Sequence, residues 1–186
     1  ELQPLADDLP AQVHITADGF KPSADLPDTL QLNQLDLTAK GDLRSGYQLL
    51  GKAVLPAEKG PVNLLLQGKV DAKGAQIATL DLRANDKQSL NLSGQLDWSQ
   101  GFSAEAKLAW LDFPWHRLYP LIEEPAVALR SFNAEVAYRD GNYLGNFKGD
   151  LDGPAGAFSL SSPFSGDLSK IFLPQFQLTA GQGKAQ

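Results

Sequence analysis

The chain has 186 residues, 42% of them apolar and 20% charged, with a net charge of −6. That balance excludes a disordered tail, and an acidic chain with no run of Lys and Arg is a poor ligand for nucleic acid or for an anionic membrane surface. Cysteine is absent, which excludes disulfides and thiolate metal or redox centres.

Apolar and polar residues alternate from one end of the chain to the other. Side chains on a strand point to opposite faces in turn, so such stretches are strands with one apolar and one wet face. In chain order they fall at 12–17, 31–40, 47–55, 62–71, 75–84, 88–98, 102–110, 129–138, 143–151, 157–161 and 174–180. The clearest is 88–98, where Leu90, Leu92, Gly94, Leu96 and Trp98 alternate with Ser89, Asn91, Ser93, Gln95 and Asp97. Turn signals separate the stretches: Asp18-Gly19, Ala39-Lys40-Gly41, Glu58-Lys59-Gly60-Pro61, Lys73-Gly74, Asn85-Asp86, Ser99-Gln100-Gly101, Asp140-Gly141-Asn142 and Asp152-Gly153-Pro154. Gly, Asn and Asp accept the positive φ of tight hairpins, and short connections between successive strands predict an antiparallel meander.

One segment, about 111–126, does not alternate. Asp112 could cap a short helix with Pro114 in its first turn, and Leu118, Leu121 and Ile122 have helical spacing. Pro120 and Pro125 would limit it to a turn or two. Such an insertion is either a lid, brace or end-cover on a groove rim or an ordinary crossover. Gly68, Gly94 and Gly149 interrupt the apolar face of their strands. They are either bends that let the sheet curl toward that face or incidental weak spots.

No catalytic arrangement is present. His14 reads as a solvated residue on the polar face of its strand, and His116 has no second histidine near it. There is no Gly-x-Ser-x-Gly elbow and no His-Glu-x-x-His helix. Gly181-Gln182-Gly183-Lys184 lacks the spacing of a phosphate loop. Asp150-Leu151-Asp152-Gly153 lacks the third ligand and closing Glu of a calcium loop and reads as a hairpin turn. The chain is expected to be no enzyme and to need no metal or cofactor.

No run of about 18 apolar residues is available to cross a membrane, and no signal peptide is visible. The chain starts at Glu1, lacks methionine and stops in mid-pattern. A section of a longer protein is therefore expected, with any anchor or targeting signal elsewhere.

One-sided strands can be satisfied in two ways. Two sheets can bury their apolar faces against each other as a sandwich, or one long sheet can curl into a trough that holds an apolar ligand. Many consecutive hairpins and small residues on the apolar face favour the trough. Roughly eleven strands at about 4.8 Å each extend about 50 Å. The weak internal repeat also favours an array: Leu64-x-Leu66-x-Gly68-x-Val70 is similar to Leu90-x-Leu92-x-Gly94-x-Leu96.

The repeated Leu-x-Leu-x-Ala/Gly strands, the Leu96-Asp97-Trp98-Ser99-Gln100 turn and the terminal Leu178-Thr179-Ala180-Gly181-Gln182-Gly183 resemble the periplasmic middle region of the TamB family, among the AsmA-like, bridge-like lipid transfer proteins. The resemblance covers essentially the whole chain, and its motifs are loose. It implies an inner-membrane-anchored protein of Gram-negative bacteria, with this segment in the periplasm. It implies a U-shaped β-taco with an apolar interior that carries phospholipids toward the outer membrane. It also implies a TamA-like outer-membrane barrel as partner, through regions outside this segment.

The expected fold is thus all-β: a long antiparallel meander curled into a U-shaped trough, a single unit over 1–186 with one short helical insertion. The expected groove lining is Val13, Ile15, Leu35, Leu37, Leu49, Leu64, Leu66, Val70, Leu80, Leu82, Leu90, Leu92, Leu96, Phe102, Leu108, Phe132, Val136, Tyr138, Phe147, Leu151, Phe158, Leu160, Phe176 and Leu178, all in contact with phospholipid acyl chains. The competing expectation is a scaffold or chaperone that offers its strand edges to outer-membrane barrel proteins. A plain sandwich module is the third.

Overall fold

A computed structural model describes residues 8–180. Twelve strands form one antiparallel sheet: β1 (Ala11–Ala17), β2 (Asn33–Asp42), β3 (Gly46–Leu55), β4 (Val62–Val70), β5 (Gly74–Asn85), β6 (Gln88–Asp97), β7 (Ser103–Leu111), β8 (Ala128–Arg139), β9 (Asn142–Gly153), β10 (Gly156–Asp167), β11 (Lys170–Phe172) and β12 (Gln177–Ala180). Neighbours in sequence are neighbours in space from β1 to β11, and β12 turns back to pair with β10. The sheet is an open meander that does not close into a barrel.

The hairpins explain the register. At β8–β9 the loop is the pair Asp140-Gly141, both at positive φ, which is the two-residue turn whose twist matches the flanking strands. At the same end of the sheet, the carboxylates of Asp42, Asp71, Asp97 and Asp167 each accept backbone N–H groups two or three residues ahead. These aspartates hold their turns and so fix which residues of each strand pair meet.

Local bends gather along one cross-strand row: Gly68, Ile77, Gly94, Ala106, Val136, Gly145 and Phe164, each opposite the next. A Cβ on Gly94 would lie 2.4 Å from the Glu105 carbonyl oxygen, on Gly145 2.1 Å from that of Glu135, and on Gly68 2.7 Å from that of Gln76. The adjacent backbone occupies the space of the missing side chain. Bulges between Gln67 and Gly68 and between Ile77 and Leu80 fall on the same line, and bulges bend strands locally. Gly149 is roomier, its nearest neighbour being a Phe132 ring atom at 3.1 Å.

Three expectations change. Residues 112–126 form no capped helix. The only helical turn there is a 3-10 turn at Trp115–Arg117, without a side-chain cap. Asp112, at φ 39, instead accepts from the Arg130 guanidinium at 3.3 Å. Strand β10 runs through Pro163 to Asp167 rather than stopping at 161. Pro163 falls where β10 is paired on one side alone, between the β12-paired and β11-paired stretches, and there a missing N–H costs no ladder bond. The turn after β9 is Pro154-Ala155, and Asp150 and Asp152 belong to the strand itself.

Packing is confined to one end. Among the described residues the buried apolar side chains are Ala53, Leu55, Ala57, Val62, Phe113 and Leu118. Phe113 and Leu118 come from the segment after β7, which folds back as a strap over the ends of β3–β7 and packs near Leu64, Leu82, Leu90 and Trp110. The Thr29 hydroxyl donates to the Leu118 carbonyl at 2.5 Å, and the Glu58 N–H donates to that of Arg117 at 3.0 Å. Of the two expectations for this segment, the rim cover is the one observed.

Candidate functional site: the uncharged face

Directly paired residues in an antiparallel ladder project to the same face. The pairings therefore trace rows that run the length of the array. One passes Ile15, Leu37, Gly51, Leu66, Leu80, Leu92, Leu108, Ala134, Phe147 and Ser162. The row beside it on the strap side carries Ala53, Leu64, Leu82, Leu90, Trp110, Phe132, Gly149, Leu160 and Leu178. On the other side lies the bend row, extended by Val13, Ala39 and Leu49. Beyond that come Ala11, Gly41, Tyr47, Val70, Ala75, Leu96, Ala104, Tyr138, Tyr143 and Gly166. None of these rows contains an Asp, Glu, Lys or Arg.

The expected lining residues fall on this face almost without exception. Leu151 and Phe158 pair with each other beyond Leu160, and Leu35 pairs with Ala17 at the β1 edge. Phe102 precedes β7, its ring 5.8 Å from that of Tyr138. Phe176 precedes β12 and is exposed. Of the terminal motif, Gly181-Gln182-Gly183 lies outside the described residues. The same parity places further large side chains on this face, among them Tyr47, Leu55, Val62, Ile77, Trp110, Leu129, Tyr143 and Phe164.

Among the described residues no second layer seals the face. Most of the strand residues on it are partly buried by their neighbours, while Val13, Ile15, Leu96 and Leu178 are exposed. Aromatic side chains concentrate toward β8–β10, where Phe132, Phe147 and Phe164 form a chain of ring contacts 6.0 and 6.2 Å apart.

Charge is kept to the opposite face. Lys107 pairs with Glu135 at 3.0 Å, His14 with Asp36 at 3.0 Å, and Arg83 with Asp81 at 3.1 Å. Asp150 accepts from the Ser131 and Ser159 hydroxyls, both at 2.6 Å, and these bonds hold its carboxyl below the usual range. Asp152 is bound to Arg130 at 2.7 Å. The two carboxylates of the would-be calcium turn are therefore engaged elsewhere. Among the described residues no group of three or more metal-binding side chains converges, and no helix is long and apolar enough to cross a membrane.

No curated protein and no solved structure matches the chain. A family model described as the TamB N-terminal domain matches residues 1–124. The match is thus to the N-terminal domain rather than to the middle region that the strand texture suggested. The chain belongs to the TamB family.

Proposed function

We propose that this segment is a section of a conduit that carries phospholipids across the periplasm, between the inner and outer membranes, along its uncharged face. The observation that carries the reading is the set of parallel rows, free of charge across about ten strands and, among the described residues, covered by no second sheet. Exposing one acyl methylene to water costs roughly 0.8 kcal/mol, so a chain of about sixteen carbons faces a barrier on the order of 13 kcal/mol. A continuous apolar track lowers that barrier at every step. The lining side chains act as solvent for acyl chains and perform no chemistry. The family supports the setting: a periplasmic stretch of an inner-membrane-anchored protein, working with a TamA-like barrel through other regions.

Photo-crosslinking tests it. Probes at Leu92, Val136 and Phe147 should capture phospholipid, and probes at Ser93 and Glu135 on the outer face should not. Equal capture on both faces, or none on the inner one, would end the reading. A second reading, a scaffold that pairs with client strands, is favoured by one observation: β1 is an edge strand with Val13 and Ile15 exposed. Probes along β1 capturing polypeptide in place of lipid would select it.

A further inference from the structure

The strap makes something the linear sequence does not show. Between it and the hairpin ends lies an open cleft of about 680 Å³. Three turns far apart in the chain deliver cations to it: Lys59 from β3–β4, Lys87 from β5–β6 and Arg117 from the strap. None of the three side chains has an ion-pair partner among the described residues. A fourth, Arg130, is held in place by Asp112 and Asp152. Glu58, Asp112 and Glu124 share the cleft; Asp112 is taken by Arg130, Glu124 lies 3.5 Å from His116, and Glu58, with no ion-pair partner among the described residues, offsets one of the three cations and leaves an excess of two. In a chain of net charge −6, unpaired cations gathered at one point invite an anion.

Part of the cleft wall is apolar. Phe113, Trp115 and Leu129 line it. Phe113 meets Trp110 edge to face at 5.3 Å, and Trp110 stands in the uncharged row between Leu90 and Phe132. Leu129 pairs with Leu151 on that same face. The apolar part of the cleft wall is thus packed against the side of the apolar track.

We propose that this cleft is a headgroup site for an anionic glycerophospholipid. Lys59, Lys87 and Arg117 take the phosphate, and the acyl chains pass Leu129 to lie along the Trp110–Phe132 row. Arginine and lysine suit phosphate because guanidinium donates in a fork and ammonium supplies a compact charge. The acyl-chain half of the assignment rests on the conduit reading. The site would let a lipid enter or leave sideways at the strap.

The test is titration of the chain with monomeric dihexanoyl phosphatidylglycerol, followed by NMR. Inorganic phosphate serves as the headgroup-only probe and uncharged Nile red as the probe of the track. The triple variant Lys59→Ala, Lys87→Ala, Arg117→Ala should weaken phosphatidylglycerol binding about tenfold, as expected for losing three solvent-accessible charge contacts, while Nile red binding stays at the parent level. Added salt should weaken the parent toward the variant. Equal phosphatidylglycerol affinity in parent and variant overturns the site. Inorganic phosphate binding as tightly as the lipid overturns the lipid assignment. Charge-dependent phosphatidylglycerol binding by a chain that takes up no Nile red upholds the cleft and overturns the conduit.

Discussion

Replacing Leu92 and Val62 with aspartate, one at a time, separates an open track from a packed core. Val62 is 0% exposed, pressed among Leu55, Phe113 and Leu118. A carboxylate there loses its water and finds no partner, a penalty of about 3–5 kcal/mol on top of the lost apolar contact. Domains of this size are stable by about 5–15 kcal/mol, so Val62→Asp should leave the chain unfolded or nearly so. Leu92 lies on the same face, in the row between Leu80 and Leu108, but it is only partly buried, and no second layer among the described residues covers it. An aspartate there keeps solvent contact, and the loss is the partial burial of one leucine, about 1–2 kcal/mol. Urea unfolding followed by circular dichroism measures both, and phospholipid capture by a probe at Val136 reads the track. Leu92→Asp should fold and capture less lipid. If it unfolds as completely as Val62→Asp, the face is an ordinary core and the conduit reading fails.

The bend row makes a second prediction. Gly94→Ala places a Cβ against the Glu105 carbonyl and should destabilise by about 1–3 kcal/mol in urea, whereas Gly149→Ala, facing a movable ring, should cost less. Truncating the strap anchor, Phe113→Ala, should cost about 3–5 kcal/mol, with the loss of hydrogen-exchange protection centred on 112–118 and the ends of β3 and β4. Arg130→Ala should raise exchange across the strap by freeing Asp112. Acid should weaken the fold. Asp42, Asp97, Asp150 and Asp167 have carboxyls held below 3.8 by hydrogen bonds from serines. A depressed folded-state value means stability that is present above about pH 4 and lost as pH falls through the folded pKa. In the double variant Ser131→Ala, Ser159→Ala the NMR midpoint of Asp150 should rise toward 3.8.

The existence and order of β1–β10 and the identity of the apolar face were legible in the linear chain, whereas β11 and the return of β12 to β10 were not. Alternation has a period of two, and the Asp-Gly and Asn-Asp turns are short, so each hairpin is a local decision that needs no distant contact. That is why residues such as Leu80, Leu92 and Leu108 could be assigned to one face before any pairing was known, and why Leu55 and Trp110 were findable by the same parity. The strand through Pro163 was not legible, because whether a missing N–H matters depends on which neighbour lies beside it. The strap's short helical turn was legible, but its expected cap was not formed: the Asp112 carboxylate meets Arg130, 18 residues away.

What only the tertiary structure decided is what lies across the apolar face and what gathers at its rim. Alternation is the same whether two sheets close on each other or one stays open, since each strand sees only its own two faces. The strand pairing decides it: one sheet holds every described strand, and its edges do not meet. Likewise Lys59, Lys87 and Arg117 look like scattered surface charges along the chain, and come to line one cleft only because hairpin ends align and the strap folds back upon them.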